Sequence, residues 1–173
     1  MRRLTLLPAL LLLACGAAQA QPTAPLKLSL GYDGRFYVKV LEMQLDQDMD
    51  ADGFRASTRI NTWGLGAIVK KLDQRATSAG RIEGTHTLPG TFMHQNIDGK
   101  RDRRVTTQWR AGEVTTVSAP AYDFWGDPPA SRAQKLGAAD PLTQFVRITR
   151  SSTAAGPCSG DTHFFDGKIG RAS

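Results

Sequence analysis

The chain has 173 residues, 40% hydrophobic and 22% charged, with 22 basic against 16 acidic side chains and a formal net charge of +6. Those proportions suit one globular domain and exclude disorder, a collagen repeat and a multi-span membrane protein. Seventeen Gly and nine Pro predict many turns, which suit short strands better than long helices.

At the N-terminus, Arg2 and Arg3 precede an apolar run from Leu4 to Ala14, and Ala18-Gln19-Ala20 forms a small-x-small cleavage site. This is the layout of an export signal. It predicts a signal peptide over 1–20, a single β-rich domain over 21–173 and a periplasmic location. The run of about 11 apolar residues is well short of the roughly 20 needed to cross a bilayer. Leu12-Leu13-Ala14-Cys15-Gly16 also reads as a lipobox, so lipidation at Cys15, giving a membrane-anchored lipoprotein, is the alternative. On either route Cys158 is the one thiol left for packing, and no internal disulfide can form. Loss of Arg2 and Arg3 leaves 20 basic against 16 acidic residues, and export makes nucleic acid an improbable partner.

The mature region alternates with period two, as half-buried strands do. Leu26, Leu28, Leu30 and Tyr32 share one face. Phe36, Val38 and Val40 continue a stripe, but Leu41, Met43 and Leu45 take the opposite parity, which predicts a bulge near Val40-Leu41. Phe54, Ala56, Thr58 and Ile60 form the next strand. The run Asp46, Asp48, Asp50, Asp52, Gly53 opens like a calcium loop, yet counting from Asp48 the twelfth position is Arg59 where a bidentate Glu belongs. Asp48, Asp50 and Asp52 therefore stand only as a weak calcium candidate, and an acidic hairpin turn is the simpler reading.

Asp98-Gly99 predicts a hairpin turn with a basic tip of Lys100, Arg101, Arg103 and Arg104. Those four also form a candidate contact to an anionic membrane surface. Val105, Thr107 and Trp109 then oppose Arg104, Thr106 and Gln108, and Gly112 turns the chain into Val114–Ser118. Short connections imply an antiparallel meander. Ala119–Ala139 is the longest loop, and its Tyr122, Phe124 and Trp125 either plug an end of the sheet or stack on a ligand. The helix starts at Asp140, a capping residue, with Pro141 at its first position. Leu142, Phe145, Val146 and Thr149 make its apolar stripe, and Gly156-Pro157 ends it.

No nucleophile elbow, S-x-x-K, H-E-x-x-H, C-x-x-C or phosphate-cradling Gly loop occurs in the sequence, and His86, His94 and His163 lack ligand spacing. No catalytic residue, cofactor or firm metal site is expected.

Taken in order, Ser78-x-Gly80-x-Ile82-x-Gly84, Leu88-Pro89, Arg104-Val105, Gly112-x-Val114, Asp140-Pro141-Leu142-Thr143, Cys158-x-Gly160 and Phe165-Asp166-Gly167-Lys168 resemble the bacterial envelope proteins grouped as the domain-of-unknown-function family numbered 3108. The resemblance runs from about Leu26 to Lys168. It implies an exported, mostly antiparallel β protein without established activity. The family continues with further strand sequence after F-D-G, so this chain reads as C-terminally short.

One-sided apolar strands, a bulge and one short helix predict a mainly β fold, a curved antiparallel meander forming a half-barrel or incomplete barrel. By fold-level analogy, such a shape suits a non-enzymatic binder or carrier of an apolar or amphipathic, lipid-like envelope molecule, with Val105, Thr107, Trp109, Tyr122, Phe124 and Trp125 as candidate ligand contacts. The alternatives are an envelope scaffold or interaction protein with a filled core and, last, a hydrolase.

Overall fold

The computed structural model describes residues 25–97, 102–122, 129–153 and 163–167. Its centre is a seven-stranded sheet: β1 (Leu26–Phe36), β2 (Val38–Met49), β3 (Gly53–Thr62), β4 (Asp73–Glu83), β5 (His86–Ile97), β6 (Asp102–Arg110) and β7 (Glu113–Ala119). Every strand pairs antiparallel with its neighbour in sequence. The sheet is thus the expected open meander, with β1 and β7 as its two edges.

The predicted parity switch is a bulge. Gly34 pairs with Leu41 and Arg35 with Lys39, so Val40 has no partner on β1. A second irregularity falls where Ala79 pairs with Thr91 but Gly80 with Pro89. Extra residues of this kind bend a strand and increase its twist.

Among the described residues three helices accompany the sheet instead of the single one the sequence predicts: α1 (Gly64–Val69), α2 (Arg132–Gly137) and α3 (Pro141–Thr153). The two unforeseen ones have six residues each, too few to show a helical stripe. A capping box at Ser131 and Gln134 starts α2, inside the stretch expected to be a loop. The predicted helix is α3. Among the described residues no helix is long and apolar enough to cross a membrane.

α3 lies over β3, β4 and β5. The core joins Leu45, Met49, Phe54, Ala56, Ala76, Ile82 and Phe92 of the sheet to Leu142 and Val146 of the helix, and burying each large aliphatic or aromatic chain stabilises by about 1.5–3 kcal/mol. Phe145 departs from the predicted stripe. It sits with Ile148 on an exposed flank of the helix, because at 3.6 residues per turn neither position falls under the line through Leu142 and Val146. The other face of the sheet is polar, with paired rows such as Ser29, Asp46, Ser57 and Thr77.

Chain reversals alternate between two ends. The Phe36-Tyr37-Val38 reversal and α1 stand at one end, and residues 50–52, 84–85 and 111–112 at the other.

Candidate functional site

Two halves of the helix-covered face differ in how they are closed. Over β4–β6, closure begins at Asp140, which is fully buried. Its Oδ1 accepts the Thr143 backbone N–H at 2.9 Å, the predicted helix cap. Its Oδ2 accepts from the hydroxyls of Thr143 and, at 3.0 Å, Ser78 on β4. Burial pushes the Asp140 carboxyl above the usual carboxylate range, and the bonds from Thr143 and Ser78 oppose that shift. All three side chains are buried, and the cluster fastens the start of α3 to the sheet. The other flank of α3 is fastened by Arg147, which donates to the Thr87 carbonyl through Nε at 3.1 Å and Nη2 at 2.7 Å. Arg150 donates to the Gly84 carbonyl at 2.7 Å and to Thr87 Oγ1 at 2.7 Å.

The segment 163–167 completes the closure. Phe165 N–H donates to the Ala139 carbonyl at 2.9 Å, and its ring is buried beneath Lys135, whose Nζ lies 5.7 Å from the ring centroid. Gly167 has φ +90° and lies so close to β6 that a Cβ there would stand 2.7 Å from Val105 Cγ1 and 2.9 Å from Thr107 Oγ1. Only glycine fits.

That segment covers two of the expected ligand contacts on β6. Val105 is 1% exposed and Thr107 0%, so neither lines an opening, because the F-D-G backbone lies across them. Trp109 is half-buried against the core, its Nε1–H donating to the Lys135 carbonyl at 3.3 Å. Tyr122 stacks on Arg103, whose guanidinium carbon lies 4.3 Å from the ring centroid. Phe124 and Trp125 fall outside the described residues, as do Cys15, Lys100, Arg101 and Cys158. Of the expected basic group, Arg103 faces the helix side with its partner Asn96, and Arg104, one residue along the strand, faces the opposite side. Arg103 and Arg104 therefore do not share one surface.

On β1, and on β2 and β3 toward the α1 end, the helix face is open. One cross-strand row runs Tyr32, Met43, Ile60, Gln74, Asn96, Arg103. At about 4.8 Å per strand it spans roughly 24 Å, apolar on β1–β3 and polar on β4–β6. Tyr32 is exposed, Met43 and Ile60 are half-buried, and Leu30 in the neighbouring row is exposed. At the polar end, Asn96 Oδ1 and Arg103 Nε are buried atoms without a hydrogen-bond partner among the described residues. Buried polar atoms are nearly always bonded, which makes this pair notable. His94 lies in the row beside them, where burial holds its imidazole pKa below the usual value while Asp166 acts against the shift. Sequence reasoning missed this row because its members come from six strands, and only the pairing register aligns them.

The acidic run supplies a turn. Asp50 Oδ1 accepts the N–H groups of Asp52 at 2.9 Å and Gly53 at 2.7 Å, and those bonds hold its carboxyl below the usual range. Asp48 pairs with Lys27 at 3.3 Å. No set of three metal-ligating side chains gathers among the described residues. On the polar face a hollow of about 670 Å³ lies over the small side chains of Ser57, Thr77 and Ala79. At its rim Ser29 Oγ donates to Asp46 Oδ1 at 2.6 Å and Lys27 pairs with Asp48 at 3.3 Å, and Arg55 also lines it.

Comparison with protein-family models, curated proteins and solved structures finds no match.

Proposed function

We propose that the chain is an exported, non-enzymatic envelope protein that holds an amphipathic, lipid-like molecule, in keeping with its resemblance to the domain-of-unknown-function family numbered 3108. The observation that carries this reading is the row from Tyr32 to Arg103, which changes from apolar to polar and ends on a cation. An acyl chain would lie over Tyr32, Met43 and Ile60. An anionic headgroup would accept from Arg103 and donate any hydroxyl to Asn96. Charge-assisted bonds to a guanidinium are among the stronger ones.

Titration with lysophosphatidylglycerol and lysophosphatidylcholine of equal chain length tests it. Micromolar binding of the anionic lipid is expected, with Arg103→Gln weakening it about tenfold, the scale of one charged hydrogen bond. Failure of both lipids to bind at micromolar concentration would overturn the reading.

The second reading, an envelope scaffold with a filled core, is favoured by one observation: the sealing of Val105 and Thr107 under residues 165–167. Under it the β1–β3 surface is covered by a protein partner, and no lipid competes.

A further inference from the structure

The α1 end of the sheet carries an apolar surface that folding does not use. Tyr37, at the β1–β2 reversal, is 97% exposed, and Ile68 and Val69 on α1 are 80% and 88% exposed. Phe36, Trp63 and Leu65 are exposed beside them. These residues form one patch, because α1 is held against β2: Trp63 N–H donates to the Val40 carbonyl at 2.9 Å, and Gly66 approaches the same carbonyl so closely that a Cβ would stand 2.5 Å from it. The unpaired bulge residue Val40 is thus what docks α1.

Tyr37 adds a second observation. Its φ is +58°, a left-handed conformation that a bulky residue rarely adopts and that Gly or Asn adopts at lower cost. Its ring meets no core; it packs edge-on against Phe36 at 5.0 Å between centroids. A strained aromatic held in solvent is kept for something other than stability.

Charge decides what covers the patch. The acids on the strands next to α1 are already compensated: Asp33 by Lys39 at 2.8 Å and Arg35 at 3.5 Å, Glu42 by Lys39 at 3.4 Å, and Asp73 by Arg75 at 2.9 Å and Arg59 at 3.3 Å; Asp102, on β6, accepts from Gln95 Nε2 at 2.7 Å. Lys70 and Lys71, directly after α1, are exposed and have no ion pair among the described residues. The opposite end mixes Asp50 and Asp52 with Arg81 and Arg110, all exposed. The α1 end is the one that combines exposed aromatic and aliphatic side chains with cations. We propose that the α1 end docks on an anionic lipid surface, with Tyr37, Ile68 and Val69 entering the headgroup boundary and Lys70 and Lys71 against the lipid charge. Aromatic rings favour that boundary, and Lys stems extend along it while the ammonium stays wet.

This rests on different residues from the lipid-holding row, so either can fail alone. The test is co-sedimentation of the mature chain, residues 21–173, which lacks both Cys15 and the apolar leader, with phosphatidylcholine vesicles with and without about a quarter phosphatidylglycerol. The protein is expected to sediment with the anionic vesicles and to be released by salt, since surface charges are screened within about 10 Å at 0.1 M. Ile68→Asp with Val69→Asp should lower vesicle binding at least about tenfold, and Lys70→Glu with Lys71→Glu should lower it about tenfold for the anionic vesicles. Tyr37→Asn should weaken binding several-fold while raising the thermal midpoint by about 2 °C, a pairing of signs that a merely structural role would not give. Wild-type protein left in the supernatant overturns the proposal, as does vesicle binding unchanged in the Ile68, Val69 variant. So does conversion of a dimer to a monomer by that variant without loss of vesicle binding, which would make the patch a contact between copies.

Discussion

Leu30 and Val105 lie in one cross-strand row, joined through Leu45, Thr58, Ala76 and His94. Both are aliphatic and both face the helix side, yet Val105 is sealed and Leu30 is half open to solvent. The difference is made by what arrives from far along the chain. Over β4–β6, α3 and residues 163–167 bring Asp140, Arg147, Arg150, Phe165 and Gly167, each bonded or packed against the sheet. Over β1 no described element offers a comparable set. An apolar stripe on a strand says that something will cover it; whether that is the protein's own chain or another molecule is decided elsewhere.

The largest expected effect lies on the sealed side. Val105→Arg puts an unpaired charge beneath the Phe165–Gly167 backbone, at a cost of several kcal/mol out of the roughly 5–15 available to a domain, and circular dichroism should show unfolding. A folded variant would break the comparison. Asp140→Ala comes next, expected to cost about 3 kcal/mol in urea unfolding, because it removes a helix cap and leaves the buried Ser78 and Thr143 hydroxyls short of an acceptor. Gly80→Ala should cost about 2 kcal/mol by overpacking, since a Cβ there would stand 2.2 Å from the Leu88 carbonyl oxygen and 2.5 Å from the Phe54 ring.

A pH series sharpens the same contrast. The folded pKa of Asp140 is raised by burial, so its stabilising contribution is complete below the unfolded value near 3.9 and is lost as pH rises through the folded value. Asp33, Asp50 and Asp73 have lowered values, caused first by the bonds from Lys39, from the Asp52 N–H and from Arg75 respectively. Their contributions are present above about pH 3.9 and are lost on acidification. Asp140→Asn, which cannot ionise, should therefore gain stability relative to wild type between pH 4 and pH 7, read as the difference in urea midpoints. A constant difference would contradict the assignment. The smallest effect is expected from calcium: at about 1 mM it should shift the thermal midpoint by less than a degree, as weak binding gives little linkage, because Asp50 is committed to its own turn.

Much of the fold was legible in the sequence because it rests on period and local chemistry. The parity switch at Val40-Leu41 is the bulge, Asp140 caps the helix, and the landmarks have separate physical reasons: Ser78 bonds Asp140, Gly80 clears the Phe54 ring, Ile82 is core and Gly167 lies on β6. The ligand contacts were less legible. Val105 and Thr107 alternate as groove residues would, and nothing near them in sequence signals that residues 165–167 cover them. The Tyr32–Arg103 row is invisible without the register, and α1 is too short for any stripe.

The most direct test of the account substitutes the open end of the shared row. Leu30→Arg is expected to leave unfolding stability within about 1 kcal/mol of wild type, as exposed sites do, and to weaken lysophosphatidylglycerol binding at least about tenfold by placing a charge directly beside the Tyr32 and Met43 row over which the acyl chain would lie. Unchanged lipid affinity in a folded Leu30→Arg protein would contradict it.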